Sequence, residues 1–156
     1  MSDPKPVDIL IVEHNPGDIR LITDALGEMG IKPEFRTVWN GIEAMQFLRQ
    51  EPPFEDAPRP RIILMDLNLP GKHGRVLLQE LKSDPLLSLT PVIVFSGSDA
   101  PQDISACYAL GANCYIVKPR DLYSYNETIR SLADFWLKKA RLPLDSEPGS
   151  NVTEIK

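Results

Sequence analysis

The chain has little of what usually marks a metal centre, a disulfide scaffold or a reactive thiol. It holds two cysteines, Cys107 and Cys114, and two histidines, His14 and His73, among 156 residues. The cysteines form no CxxC pair and no disulfide framework, so they read as buried free thiols of a cytoplasmic protein. The histidines stand far apart and lack the spacing of zinc ligands. No apolar run approaches the roughly 18 residues of a membrane span. The opening Met1-Ser2-Asp3-Pro4-Lys5-Pro6 is polar and has no signal-peptide core. Positive charge is also scarce: 17 Lys and Arg stand against 22 Asp and Glu, a net charge of -5. A phosphate backbone needs clustered Lys and Arg, so no nucleic-acid partner is expected, and no membrane partner.

What is present is ordinary globular composition, 42% hydrophobic and 25% charged, in a length that suits one domain. The stretch Ile62-Ile63-Leu64-Met65-Asp66-Leu67-Asn68-Leu69-Pro70 organises it. A continuous apolar run bracketed by prolines at 58, 60 and 70 predicts a strand buried on both faces. Such a strand lifts Asp66 to its C-terminal edge, where ligands and chemistry collect in open parallel sheets. Asp is also a common turn residue, so Asp66 alone does not separate a site from a turn.

Four further runs read as strands: Val7–Val12, Glu34–Val38, Val92–Phe95 and Cys114–Val117. Helices fall between them. Asn15-Pro16-Gly17-Asp18 is a helix start, with Asn15 as cap, Pro16 at the first helical position and Asp18 in the first turn. Ile19, Ile22, Leu26 and Met29 give its apolar face, and Gly30 can end it in a left-handed conformation. Asn40 and Glu43 form a capping-box pattern before Ala44, Phe47 and Leu48. The proline-rich residues 51–60 are a surface loop. Leu77, Leu78 and Leu81 mark a third helix. Asp99 and Gln102 suggest the cap of a fourth, carrying Ile104, Cys107 and Tyr108, with Gly111 at its end. The last helix runs from about Asp121 to Lys139, with Leu122, Tyr125, Ile129, Leu132 and Trp136 as an apolar seam. Residues 145–156 are polar and are expected to form a disordered tail. Five strands alternating with five helices predict an α/β, doubly wound parallel sheet of flavodoxin-like (βα)5 form, strand order 2-1-3-4-5.

In that order four adjacent strands end in polar groups: Glu13-His14, Asp66, Ser96 and Lys118. Each alone reads as a turn or surface residue; together they read as one site. The set suits phosphoryl transfer to a carboxylate, with Asp66 as nucleophile. Glu13 and Asp66 offer carboxylates to a Mg²⁺ ion, Lys118 a point positive charge and Ser96 a hydroxyl.

Here the chain resembles a known family, the receiver domain of two-component response regulators, over about residues 7–140. The resemblance rests on the acid after strand one, Met65-Asp66-Leu67-Asn68-Leu69-Pro70-Gly71, Phe95-Ser96-Gly97-Ser98 and Val117-Lys118-Pro119. It implies that Asp66 is the phosphoacceptor and that Asn68 gives a backbone carbonyl to the metal. It implies that Ser96 and Lys118 stabilise the phosphoryl group, that Ser96 and Tyr115 are the switch pair, and that Lys118–Pro119 is a cis peptide. The module would not be an enzyme in the ordinary sense, though it assists its own phosphotransfer and dephosphorylation. Residues 1–144 would form the receiver with a C-terminal helical extension.

One position departs from the family. His14 stands where a second acid normally binds the metal directly. Imidazole suits transition metals better than Mg²⁺, so either Mg²⁺ binding is weaker here or His14 turns to solvent and Glu13 binds directly. A narrower resemblance is to stand-alone regulators paired with bacterial and cyanobacterial phytochromes. It rests on the 51–60 loop, Asp66-Leu67-Asn68-Leu69-Pro70, Asn113-Cys114-Tyr115 and Phe135-Trp136-Leu137. It implies a phytochrome-type sensor histidine kinase as partner, and a homodimer through helix four, strand five, helix five and the extension. Ile129, Leu132, Phe135, Trp136 and Leu137 are the candidate partner face, and because the last three are consecutive at least one should be exposed. Two other functions compete. A phosphorylation-independent pseudo-receiver, acting as a dimeric interaction module, is suggested by His14. An FMN carrier on the same fold would need a phosphate-cradling loop where Glu13 stands.

Overall fold

The structure is a computed structural model that describes residues 7–146. Its elements follow the expected alternation: β1 (Val7–Val12), α1 (Pro16–Gly27), β2 (Phe35–Val38), α2 (Gly41–Leu48), β3 (Pro60–Met65), α3 (Gly74–Ser83), β4 (Val92–Ser96), α4 (Pro101–Ala109), β5 (Cys114–Val117) and α5 (Leu122–Asp134). All strand pairs are parallel and the order is β2-β1-β3-β4-β5. The central strands are apolar on both faces, and their alternating side chains feed two cores. Leu10, Val12, Ile63, Met65, Val92 and Val94 pack with α2 and α3. Ile9, Ile11, Ile62, Leu64, Ile93 and Phe95 pack with α1 and α5. That is why these strands read as continuous rather than alternating apolar runs.

Local chemistry fixes most helix starts. Asn15 caps α1 by accepting from the Asp18 backbone N–H at 3.0 Å. Asn40 accepts from Glu43 N–H at 2.8 Å, while Glu43 reaches back to Trp39 N–H at 2.9 Å, one residue earlier than a capping box. Gly74 opens α3 where a Cβ would stand 2.6 Å from Leu67 Cα and 2.7 Å from the Asp66 carbonyl. Only glycine lets the helix abut the loop that follows β3.

Several expectations are corrected. Helix α1 ends at Gly27, where short-turn bonds from Glu28 N–H to Ala25 and from Met29 N–H to Leu26 close it. Gly30 is therefore not needed in a left-handed conformation, and among the described glycines only Gly71 and Gly111 adopt one. Helix α4 has no side-chain cap from Asp99: Pro101 takes the first helical position and makes Ala100 the cap residue. The last helix changes register, with α5 passing into a π-helical turn over Phe135–Lys139. Ile129 is fully buried and Leu132 is 5% exposed, so both belong to the chain's own core and not to a partner face. Leu122, expected in the seam, is exposed, and so is Phe135; Trp136 and Leu137 pack partly against the core.

The cis peptide among the described residues is Pro52–Pro53, and Lys118–Pro119 is trans, the commoner form of an X–Pro bond. Asp145 is no part of a loose tail: it lies in the turn Pro143–Ser146 and pairs with Arg61 at 3.0 Å. Arg61 also reaches Asp8 and the Leu137 carbonyl, tying the chain's end to β1 and β3. The rest of the expected tail, 147–156, lies outside the described residues.

Candidate functional site

The C-terminal ends of β1, β3, β4 and β5 bring the expected groups to one cleft of about 540 Å³, lined by Glu13, Asp66, Asn68, Ser96 and Lys118 among others. Register explains the meeting. Val12 pairs with Met65, so Glu13 and Asp66 follow side by side; Met65 pairs with Val94, two residues before Ser96, and Ser96 pairs with Val117, directly before Lys118. Glu13, Asp66 and Ser96 are the buried polar side chains among the described residues.

Each is held. Glu13 Oε1 accepts from His14 N–H and Asn15 N–H, both at 3.1 Å. Asp66 Oδ1 accepts from Leu67 N–H at 2.7 Å. Lys118 Nζ then lies 2.9 Å from Glu13 Oε2, 3.0 Å from Asp18 Oδ2 and 3.3 Å from Asp66 Oδ2. One ammonium thus spans three carboxylates. Burial would lower the Lys118 pKa, but the charges of Glu13 and Asp66 outweigh it and hold the amine protonated. Burial, and then the charge of Asp66, push the Glu13 carboxyl above the usual range, against the pull of Lys118.

Ser96 Oγ accepts from Ser98 N–H at 3.2 Å, and Tyr115 donates its hydroxyl to the Ser98 carbonyl at 2.8 Å. The two expected switch residues therefore meet at Ser98. That residue's own hydroxyl pairs with Asp103 of α4 at 2.5 Å. His14 is exposed, with its ring edge-on to Trp39 at 6.3 Å. It lies at the rim of the cleft, outside the carboxylate cluster. Asn68 is exposed beside Asp66.

Two participants were read from sequence only for other roles. Asp18 figured as a first-turn acid and Tyr125 as a seam residue. In the structure Asp18 holds Lys118 and accepts the Tyr125 hydroxyl at 2.7 Å. The signal for Asp18 was available: α1 begins directly after β1, so its first turn borders the sheet edge. Nothing in the sequence pairs Tyr125 with it.

A doubly wound five-stranded sheet with buried acids, a hydroxyl and a lysine at its C-terminal edge defines a phosphoryl-handling class of signalling domain. Residues 9–130 match the response regulator receiver domain, and the chain belongs to that family. It is similar to the response regulator Rcp1 of Synechocystis, 40% identical over 145 residues, covering 92% of this chain and 99% of that protein. Among solved structures it is similar to the phosphorylated cyanobacterial phytochrome response regulator RcpA, with 46% identity and a TM-score of 0.85 over 88% of this chain and 99% of that one. The Mn²⁺-bound form of Rcp1 matches at 40% identity, with a TM-score of 0.84 over 88% of this chain and 99% of that one. The protein is accordingly a response regulator homologous to phytochrome response regulators. Among the described residues no helix is long and apolar enough to cross a membrane.

Proposed function

We propose that Asp66 accepts a phosphoryl group from a phytochrome-type sensor histidine kinase and that the modified protein presents an altered partner face. The observation that carries this reading is Asp66 itself: a buried carboxylate at the end of β3, 3.3 Å from the ammonium of Lys118 and lining one cleft with Ser96. Lys118 and the Ser96 hydroxyl supply positive charge and a donor to phosphoryl oxygens. Because Asp66 already carries one negative charge, its phosphorylation adds about one more, together with strong acceptor oxygens, and this favours a rearranged Ser96–Tyr115 pair and so a different α4–β5–α5 face.

Mg²⁺ fits the donor set. Glu13 and Asp66 present hard carboxylate oxygens, and the Asn68 backbone carbonyl would complete the protein's share. Among the described residues no three acidic, His or Cys side chains are grouped to hold a metal alone. That suits Mg²⁺, which takes one or two carboxylates, keeps several waters and binds phosphate oxygens. When bound, it would neutralise charge on the phosphoryl group. His14, at the exposed rim, adds no oxygen donor, and weaker binding follows from the missing acid.

The protein acts in the cytoplasm, as a receiver over residues 1–144. A homodimer through α4, β5, α5 and the extension is supported by exposed Val117, Leu122 and Phe135. Retention of Glu13, Asp66, Ser96 and Lys118 favours this reading over the pseudo-receiver. Transfer of labelled phosphoryl from an autophosphorylated phytochrome-type kinase tests it. Rapid transfer that is lost in Asp66→Asn, and slower transfer from an unrelated histidine kinase, is expected. Equal transfer to Asp66→Asn would overturn the assignment.

A further inference from the structure

Every donor of Lys118 is accounted for. An ammonium has three N–H groups, and three carboxylate oxygens surround it, from Glu13, Asp18 and Asp66. The three acids differ in how they are fixed. Glu13 is locked by two backbone N–H groups and is 2% exposed. Asp66 is locked by Leu67 N–H. Among the described residues Asp18 has no backbone N–H as a side-chain partner, and its second oxygen is held by the Tyr125 hydroxyl at 2.7 Å. Its side chain is 21% exposed, so solvent competes for it. Among the described residues, that hydroxyl is the restraint on outward rotation of the Asp18 carboxylate besides Lys118 itself.

Tyr125 is well placed to do this. It is 4% exposed, and its ring lies edge-on to Phe95 with centroids 5.2 Å apart. Phe95 immediately precedes Ser96, and Lys118 Nζ lies 5.8 Å from the Phe95 ring centroid. The ring is therefore clamped from the sheet side while the hydroxyl faces α1. Burial, with Asp18 beside it, pushes the phenol far above its ordinary pKa, so it stays a donor at every pH the protein meets. A hydrogen bond to a charged acceptor is among the stronger kinds and fixes direction as well as distance.

We propose that Tyr125 is a positioning residue for the phosphoryl site. Its hydroxyl holds Asp18 turned inward, and Asp18 holds Lys118 in reach of the group carried by Asp66. This deepens the reading of Asp66 as phosphoacceptor and rests on it for its consequence in phosphotransfer. When a phosphoryl group replaces the Asp66 oxygen as a partner of Lys118, the amine keeps two anchors. Glu13 is an anchor set by the β1 loop. Asp18 is an anchor set by α5 through Tyr125, which makes the position of Lys118 depend on the packing of α5 against α1.

The test is a cycle of Tyr125→Phe, Asp18→Asn and the double variant, each in the full chain. Tyr125→Phe keeps the ring and removes the hydroxyl. The first readout is the Lys118 Nζ resonance in lysine-labelled, unphosphorylated protein, which needs no phosphotransfer. It should shift and exchange faster with water in Tyr125→Phe. The second readout is the rate of phosphoryl acceptance from acetyl phosphate with Mg²⁺. It should fall on the order of tenfold, the low end of the scale for one hydrogen bond to a charged group. In the Asp18→Asn background, adding Tyr125→Phe should change neither readout further, because the hydroxyl acts only through Asp18. Packing at the ring would give additive effects instead. An unchanged Lys118 signal in Tyr125→Phe, or full additivity in the double variant, overturns the proposal. If wild type accepts no phosphoryl while the Lys118 signal behaves as described, the fault lies with the phosphoacceptor reading and the positioning relay stands.

Discussion

Replacing Lys118 by Met removes the one cation from a cluster of three acids while keeping most of the aliphatic stem. The structure sets the scale. The ammonium is 11% exposed and contacts Glu13, Asp18 and Asp66 at 2.9, 3.0 and 3.3 Å. Taking one partner from a buried ion pair leaves uncompensated charge and typically costs about 3–5 kcal/mol. Asp18 is partly in water and Glu13 can take up a proton, so the low end, about 3 kcal/mol at pH 7.5, is expected. That is a large part of a total stability of roughly 5–15 kcal/mol. The loss should depend on pH. Glu13 already has a pKa raised from 4.5, by burial first and Asp66 second, with Lys118 pulling it down. Without Lys118 it rises further. A raised folded pKa contributes stability that is fully present below the unfolded value and is lost as pH rises through the folded value. The deficit of Lys118→Met should therefore be largest at neutral pH and shrink toward pH 5. Urea unfolding of both proteins across that range measures it. A deficit under about 1 kcal/mol at pH 7.5, or one that grows as pH falls, would refute the electrostatic account of the cluster.

Three further outcomes are expected. His14→Asp restores an acid beside Glu13 and should tighten Mg²⁺ on the order of tenfold, read by fluorescence or calorimetric titration; equal affinity would mean the rim position takes no part in metal binding. Gly74→Ala places a Cβ 2.6 Å from Leu67 Cα, backbone that does not yield easily. It should cost about 1–3 kcal/mol in thermal or urea unfolding, and wild-type stability would show the loop to be softer than its contacts imply. Phe135→Glu charges an apolar side chain that is 52% exposed on the far end of the last helix. Light scattering should show a dimer become a monomer with the circular dichroism unchanged, and a monomeric wild type would remove the dimer from the account.

The sheet was legible because its strands are buried on both faces. Ile62 to Met65 cannot be mistaken for a surface element, and the polar residues that stop the runs line one cleft. That Asp66, Glu13, Ser96 and Lys118 converge was legible by that reasoning alone, since each follows directly on an apolar run. Helix ends were harder. Gly30 and Asp99 both satisfy end rules, yet the chain closes α1 three residues before Gly30 and lets Pro101 set the start of α4. Such rules state what a residue permits, and tertiary packing chooses among permitted ends. The partner face was misread for a related reason. Ile129, Leu132 and Phe135 follow at helical spacing, but the line between core and surface falls between them, and the π-helical turn begins at Phe135. The Asp18–Tyr125 pair was not legible at all, because it depends on how α1 and α5 lie against each other.

The measurement that bears most directly on the central claim is intact mass after exposure to acetyl phosphate with Mg²⁺, for wild type and Asp66→Asn, with the modified residue located by reductive trapping. One phosphoryl group on wild type, trapped at Asp66 and absent from Asp66→Asn, is the predicted result. A phosphoryl group on another residue, or none on wild type and none on His14→Asp, would contradict it.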